Sequence, residues 1–364
     1  MKTINIILKG FLLFIIFNVV FAILQPRVGS LSAYNVIFPG RERLPFGENS
    51  AKAYNLSLFD LDAMFASHEI NGDNKQVDEF RVILIGDSSV WGTLLKPEET
   101  LAGQLNSADF SVCGKSIRAY NLGYPTISLT KDVLLLSHAM KYQPDLIIWL
   151  TTLEAFPVEK QTASPLVANN EETLLRLATR YGLMVDANDP AFIRDSFWGS
   201  TIIGKQRALA DVFRLQLYGV MWAATGIDQT YPTDYQKAQT DLEADQKFHK
   251  FEPPVMDEDL LALNVLEAGM NMAGDTAVII VNEPMLISTG INSDIRYNFF
   301  YPRWAYDQYR SMMSELSLKN NWTYTDLWDA VPASEFTNSA IHLTPAGEAF
   351  LAQKIKPTIE GICK

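Results

Sequence analysis

The sequence predicts an α/β protein: a three-layer α/β/α sandwich around a parallel five-stranded sheet, interrupted by a mostly helical insertion. Three observations carry this. Short apolar runs rich in β-branched residues recur at Val82–Ile85, Ile117–Leu122, Leu146–Leu150, Ala277–Val281 and Thr323–Leu327. Such uninterrupted runs read as strands covered on both faces. Helical patterns separate them at Glu98–Leu105, Leu129–Tyr142, Leu260–Ala273 and Trp304–Asn320. Strand–helix alternation demands crossovers, and right-handed crossovers lay helices on both faces of a parallel sheet. Finally, 364 residues with 48% apolar content suffice for one large core or two.

Taken in order, residues 1–24 stand apart from this body as a membrane anchor or signal sequence. Gly10 to Leu24 carries no charge, and Ile4 to Leu8 extend the run if Lys9 snorkels. Lysines ahead of the run place the N-terminus in the cytoplasm. No Ala-x-Ala site follows, so the reading is an uncleaved single-pass anchor through residues 4–24 rather than a cleaved signal peptide. Either way the body lies outside the cytoplasmic membrane.

Residues 25–77 read as a linker and lead-in. Gln25-Pro26 ends the apolar run, and Pro39-Gly40 and Pro45-Phe-Gly47 mark turns. Asn55–Ala66 has apolar residues at helical spacing, and His68 after it reads as a surface or capping residue. The α/β body spans 78–361, with an insertion at 155–256 that is too long for a crossover and too patterned for a loop. Within it, Glu171–Tyr181 and Ile202–Thr225 read as helices. The end of the second, Leu215–Ala224, is apolar nearly all round; burial between sandwich and insertion is the plain expectation, and a surface for a membrane or membrane protein is the alternative. His249 lies among charged neighbours, and His138 inside a helix.

The net charge of −12 excludes nucleic acid as a natural partner. Cys113 and Cys363 form neither a metal pattern nor a disulfide framework, and read as unpaired buried thiols, with one bridge as the alternative.

The chemistry concentrates at two places. Asp87, Ser88 and Ser89 follow the first strand at its carboxyl end, where open α/β sheets bind ligands. Far downstream, His342 precedes Thr344-Pro345, an N-cap and first helical residue. A serine after the first strand and a histidine before the last helix meet at one sheet edge as nucleophile and base. Asn282-Glu-Pro284 follows the fourth strand at the same edge. The aromatic loop Asn292–Arg303, with Arg296 and Arg303, suits sugar or acyl-carrier contacts.

Gly86-Asp87-Ser88-Ser89 with His342-Leu-Thr-Pro-Ala-Gly347 resembles the SGNH (GDSL-type) hydrolases. That resemblance covers roughly 78–361 and implies a flavodoxin-like strand order, Ser88 as nucleophile and Gly123 of Asn121-Leu-Gly123 as an oxyanion-hole glycine. The family's third block should read Gly-x-Asn-Asp but reads Thr151-Thr-Leu-Glu154; its acid, three residues before the histidine, is Ser339 here. Asn282 or the hydroxyl of Thr151 or Thr152 can replace the missing donor. Asp329, then Asp326 or Glu335, can orient His342, or a carbonyl can do so in a Ser–His dyad. Catalytic residues are thus expected at Ser88, His342 and Asp329, and oxyanion or substrate contacts at Gly123, Thr152, Asn282 and Arg296, with no metal and no cofactor.

Two functions stay open. One is an extracytoplasmic serine-dependent acyl-ester hydrolase or O-acyltransferase acting on a cell-surface carbohydrate or related polymer. Its anchored, altered SGNH-like body resembles accessory proteins that work beside an integral-membrane acyltransferase. The other is a catalytically degenerate binding or assembly component of a membrane complex.

Overall fold

The computed structural model describes residues 2–26, 28, 33–41, 61–66, 68–72, 74–193, 196–231 and 234–363. Its first elements are α1 (Lys2–Leu24), α2 (Ala33–Ile37), α3 (Leu61–Ala66), β1 (Glu79–Ile85), α4 (Ser88–Trp91), α5 (Leu101–Ser107), β2 (Ser111–Val112), β3 (Lys115–Asn121), α6 (Leu129–Ala139) and β4 (Leu146–Thr151). The insertion follows with α7 (Pro165–Ala168), α8 (Glu171–Tyr181) and α9 (Gln206–Thr225). The chain then completes the sheet through α10 (Leu263–Ala273), β5 (Ala277–Asn282), α11 (Arg303–Asn320), β6 (Thr323–Asp326) and α12 (Pro345–Glu360).

The sheet order is β2-β3-β1-β4-β5-β6. The long strands pair in parallel throughout, and their order by rank in the chain is 2-1-3-4-5, the flavodoxin-like arrangement. The expected five strands therefore need one correction. Ser111–Val112 turns back on Lys115–Ser116 as a short antiparallel sixth strand at the edge. The turn is tight: Cys113 and Gly114 both have positive φ, of 52° and 76°.

Side-chain alternation explains the layers. In β1, Ile83 and Ile85 enter one core, whereas Phe80, Val82 and Leu84 enter the other. Likewise Ile147 and Trp149 of β4 face the first core, and Ile148 and Leu150 the second. Residues of α6, α10 and α11 cover the first face, and residues of α5 and α12 the second. Gly269 lets α10 approach the sheet; a Cβ there would stand 2.4 Å from the Trp149 ring.

Several expectations are corrected. Cys113 and Cys363 are not free thiols: they form a disulfide with a Cα–Cα distance of 5.5 Å. It ties the sheet edge to the end of α12 across 250 residues. His68 takes the N-cap position of the short turn Glu69–Asn71, as a capping role would have it, but its ring is buried against Phe65 rather than exposed. The apolar end of α9 is not sealed inside: Leu217 and Met221 are exposed. Residues 55–60 of the lead-in helix and the Pro45–Gly47 turn lie outside the described residues; the helix is present from Leu61.

A cross-link closing so long a loop constrains the unfolded chain strongly. Replacing Cys113 and Cys363 together by serine should destabilise the body by about 2–4 kcal/mol, read as a lower denaturant midpoint. Non-reducing peptide mapping that finds the two thiols free would remove the basis for this.

Candidate active site

β1 leads into a close turn. At Gly86 a Cβ would stand 2.5 Å from Val90 Cγ2 and 3.1 Å from the Leu150 carbonyl oxygen, so no larger residue fits without movement. Asp87 then caps α4, its Oδ1 accepting the Ser89 N–H at 2.8 Å. Ser88 is the first helical residue, half-buried, and its N–H belongs to the first-turn donors that a helix cannot satisfy itself.

The histidine arrives on a loop closed at its base. Phe336 and Leu343 bridge, and the Thr337 N–H donates to the His342 carbonyl at 2.8 Å. Thr344 caps α12, accepting the Gly347 N–H at 3.1 Å, and its hydroxyl donates to Glu335. This places His342 Nε2 2.8 Å from Ser88 Oγ. On the other side of the ring, Nδ1 lies 2.8 Å from Asn338 Oδ1. An amide oxygen only accepts, so Nδ1 carries the proton and Nε2 offers its lone pair to the serine hydroxyl. Burial holds the His342 imidazole below its ordinary pKa, while the negative charge of Asp87 acts in the opposite direction.

Acids lie beneath the serine turn. Glu283, just past β5, accepts the Ser89 hydroxyl at 2.5 Å. Burial pushes its carboxyl well above the usual range, and the charge of Asp87 pushes it further. Glu348, on the first turn of α12, shares with Ser89 and Glu283 a cavity of about 10 Å³, the size of one water. Burial raises its carboxyl to about 8.

The other sequence-predicted residues are bound into the framework. The Gly123 N–H donates to Asn121 Oδ1 at 2.9 Å, and a Cβ there would stand 2.2 Å from the Trp91 nitrogen. Gly123 thus lets the exit of β3 touch α4. Thr152 is fully buried, with its hydroxyl 2.7 Å from that of Tyr301. Asn282 donates to Asp326 at 2.8 Å and accepts from the Tyr306 hydroxyl at 3.0 Å. The buried Arg296 guanidinium holds backbone carbonyls, among them Asp245 at 2.7 Å and Phe299 and Phe300 at 3.0 Å. The aromatic loop is accordingly knitted to itself: Tyr297, Asn298 and Tyr301 are buried, and Arg303 lies over the Tyr297 ring.

The candidate acids are also elsewhere. Asp329 is exposed in the turn after β6. Asp326 pairs with Arg310 at 2.8 Å. Glu335 accepts from Ser334 and Thr344. A search confined to carboxylates passes over Asn338; a polar residue four places before the histidine is the signal that finds it. Sequence reasoning also misses the returning end of the insertion. Tyr235, Gln236, Lys237, Gln239 and Phe299 line, with Asn338, an open groove of about 490 Å³. The Ala238 N–H holds that segment in place by donating to the Thr337 carbonyl at 2.9 Å.

Glu348 makes the fold's stability depend on pH. With its folded pKa near 8 and an ordinary unfolded value near 4.5, the native chain binds the extra proton between these limits. Stability therefore falls as pH rises from about 5 to 8, by on the order of 3 kcal/mol from this group alone. Glu348→Gln should flatten that slope and raise the melting temperature most at pH 8; an unchanged slope would show that Glu348 is not the group responsible.

No family model and no curated relative matches the chain. Among solved structures, it is similar to a carbohydrate acetylesterase family member from Sinorhizobium meliloti, with 12% identity and a TM-score of 0.32 over 78% of this chain and 100% of that one. It is similar to the aryl esterase of M. smegmatis at 14% identity and a TM-score of 0.34, over 78% and 99% of the two chains. A third is the lipopolysaccharide acetyltransferase periplasmic domain of Salmonella ser. Paratyphi A, at 12% and 0.34 over 82% and 89%. The chemistry is read from the chain's own side chains.

Proposed function

We propose that the chain is an extracytoplasmic acyl-ester hydrolase or O-acyltransferase in which Ser88 is the nucleophile and His342 its base. The observation that carries this reading is the 2.8 Å contact between Ser88 Oγ and Nε2 of His342. In the first step Oγ adds to the ester carbonyl carbon as its proton passes to Nε2. The tetrahedral intermediate collapses to acyl-Ser88, and the departing alcohol takes the proton from His342. Water, or the hydroxyl of an acceptor, then attacks the acyl group with His342 again as base, which regenerates Ser88.

Asn338 holds the imidazole in the tautomer this sequence needs, and the charge of Asp87 favours the imidazolium formed on attack. The Ser88 N–H is one donor for the developing oxyanion. The groove beside Asn338 suits a carbohydrate: the rings of Tyr235 and Phe299 match apolar sugar faces, and the amides of Gln236 and Gln239 match hydroxyls. We place the body outside the cytoplasmic membrane. α1, apolar from Thr3 to Leu24, supplies the anchor, and the Cys113–Cys363 disulfide fits an oxidising compartment. An integral-membrane acyltransferase is the partner this reading admits as acyl donor.

One observation favours a second reading, a non-catalytic binding component. The Gly123 N–H already donates to Asn121, so an oxyanion there would have to share it. A fluorophosphonate probe separates the two. It should label the wild type and spare Ser88→Ala and His342→Ala; an unlabelled, folded wild type would favour the binding component, and labelling that persists in Ser88→Ala would remove Ser88 as the nucleophile.

Asn338 gives a sharper test through pH. His342 works as a base only when unprotonated, so activity is present above its pKa and is lost as pH falls through it. Asn338→Asp sets a carboxylate at Nδ1, raises that pKa and should move the acid limb of kcat/KM to higher pH. Asn338→Ala should lower kcat about tenfold to a hundredfold, with KM little changed. If neither variant alters kcat or the pH profile, Asn338 does not position the histidine.

A further inference from the structure

Helix α9 lies beside the part of the chain that leaves the anchor, and three contacts hold it there. In the turn just before it, the Ile203 N–H donates to Asn18 Oδ1 of α1 at 3.2 Å. In its middle, Gln216 Oε1 accepts the Tyr34 N–H of α2 at 3.2 Å. Past its end, Asp228 pairs with Arg41 at 2.7 Å and accepts from the Tyr34 hydroxyl at 3.4 Å. Asn18 and Ala22 are correspondingly buried within α1.

The contact at Asn18 fixes a depth. Asn18 precedes Leu24, the last residue of α1, by six positions, so it sits about 9 Å inside that end of the helix. If α1 spans the bilayer, Ile203 lies at the level of the outer leaflet's acyl chains. The side chains around it agree with that surrounding. Trp198 is 74% exposed, Phe197 52% and Ile203 52%.

The outward face of α9 continues the same surface. Phe213, Leu217 and Met221 follow one another at four-residue intervals and are 70%, 66% and 61% exposed, with the exposed Ala210 and Ala224 on the same stripe. Gln216 and the buried Gly219, by contrast, lie on the side towards α2. Exposed Arg207 and Arg214 stand near the stripe, where long cationic side chains reach lipid phosphates. An apolar stripe on one side of a helix, with basic residues at its margin, is the pattern of a helix that lies in a membrane interface.

We propose that the 197–204 turn and the Phe213–Leu217–Met221 face of α9 are immersed in the outer leaflet, as a second membrane contact beside the anchor. The occupant is lipid. The stripe is continuous with residues held at the depth of Asn18, whereas a protein partner would have to reach the same surface from within the bilayer. The inference rests on the reading that α1 spans the membrane.

The full chain, its disulfide intact, is reconstituted into vesicles of phosphatidylethanolamine and phosphatidylglycerol. Phe213→Cys, Leu217→Cys and, as a water-facing reference on α11, Leu318→Cys each carry a nitroxide; Leu318 is 80% exposed. Oxygen, which concentrates in lipid, and a water-soluble nickel chelate compete as relaxing agents. The oxygen-to-nickel ratio should be about tenfold higher at 213 and 217 than at 318. Equal ratios at the three sites would overturn the proposal, because the stripe then faces water. Exclusion of both agents from 213 and 217 would overturn it in favour of a protein partner or a second copy. A chain that fails to float with the vesicles would instead show that α1 is no anchor.

Discussion

A fully buried ammonium group holds the turn from which the site is built. Lys131, on the first turn of α6, donates from Nζ to the Gly86 carbonyl at 2.6 Å and pairs with Asp132 at 2.5 Å. Asp132 in turn accepts the Trp149 indole N–H at 3.1 Å. An unpaired charge at this depth would cost several kcal/mol, so the pair and its hydrogen bonds stand or fall together. The Gly86 carbonyl also accepts the Tyr124 N–H at 3.1 Å. The turn carrying Asp87 and Ser88 is therefore joined to the ends of β3 and β4 and to the start of α6. The rest of the site can then be set by loops because its first member is set by the core.

That buried network also governs the charges around the serine. Asp87, Asp132 and Glu283 share it with a single ammonium, Lys131. Burial and the charge of Asp87 push the Glu283 carboxyl well above its usual range. The charge of Asp87 also reaches His342. The fourth-block position of the resemblance holds Ser339, and the ring nitrogen meets a neutral amide instead. In a serine triad one acid both touches the ring and lends it charge; here Asn338 makes the contact at Nδ1, and the charge acting on the imidazole comes from Asp87.

The sheet was legible because its strands are covered on both faces, so Val82–Ile85 and Leu146–Leu150 read as unbroken apolar runs. The two-residue β2 has no such run, and its pairing comes from the turn at Cys113-Gly114. Ser88 and His342 were legible because each adjoins a strong punctuation mark, Gly86 in one case and Thr344-Pro345 in the other. The bonds that join them to their surroundings were not. Asn282, Thr152 and Arg296 have the right chemistry at the right edge, yet their polar groups are engaged by Asp326, Tyr301 and backbone carbonyls. Residue type cannot show whether a donor is already occupied. The disulfide was hidden for a related reason: 250 residues separate its ends, and the packing of α12 on the second face of the sheet brings them together.

The insertion reconciles an exposed apolar helix with a polar groove. Its middle, α9, is held to α1 and α2, whereas its returning end, at 235–239, borders the groove beside Asn338. Further along that end, the Leu242 N–H donates to the Ile291 carbonyl at 3.0 Å and the Ser288 hydroxyl donates to the Thr240 carbonyl. These bonds fasten it to the loop after β5. A segment fastened at both places couples the position of the groove to that of the anchor. The groove reaches the serine only through Asn338, whose side chain borders it and also holds His342 beside Ser88, so the fastening of 235–242 bears on the histidine as well as on the groove.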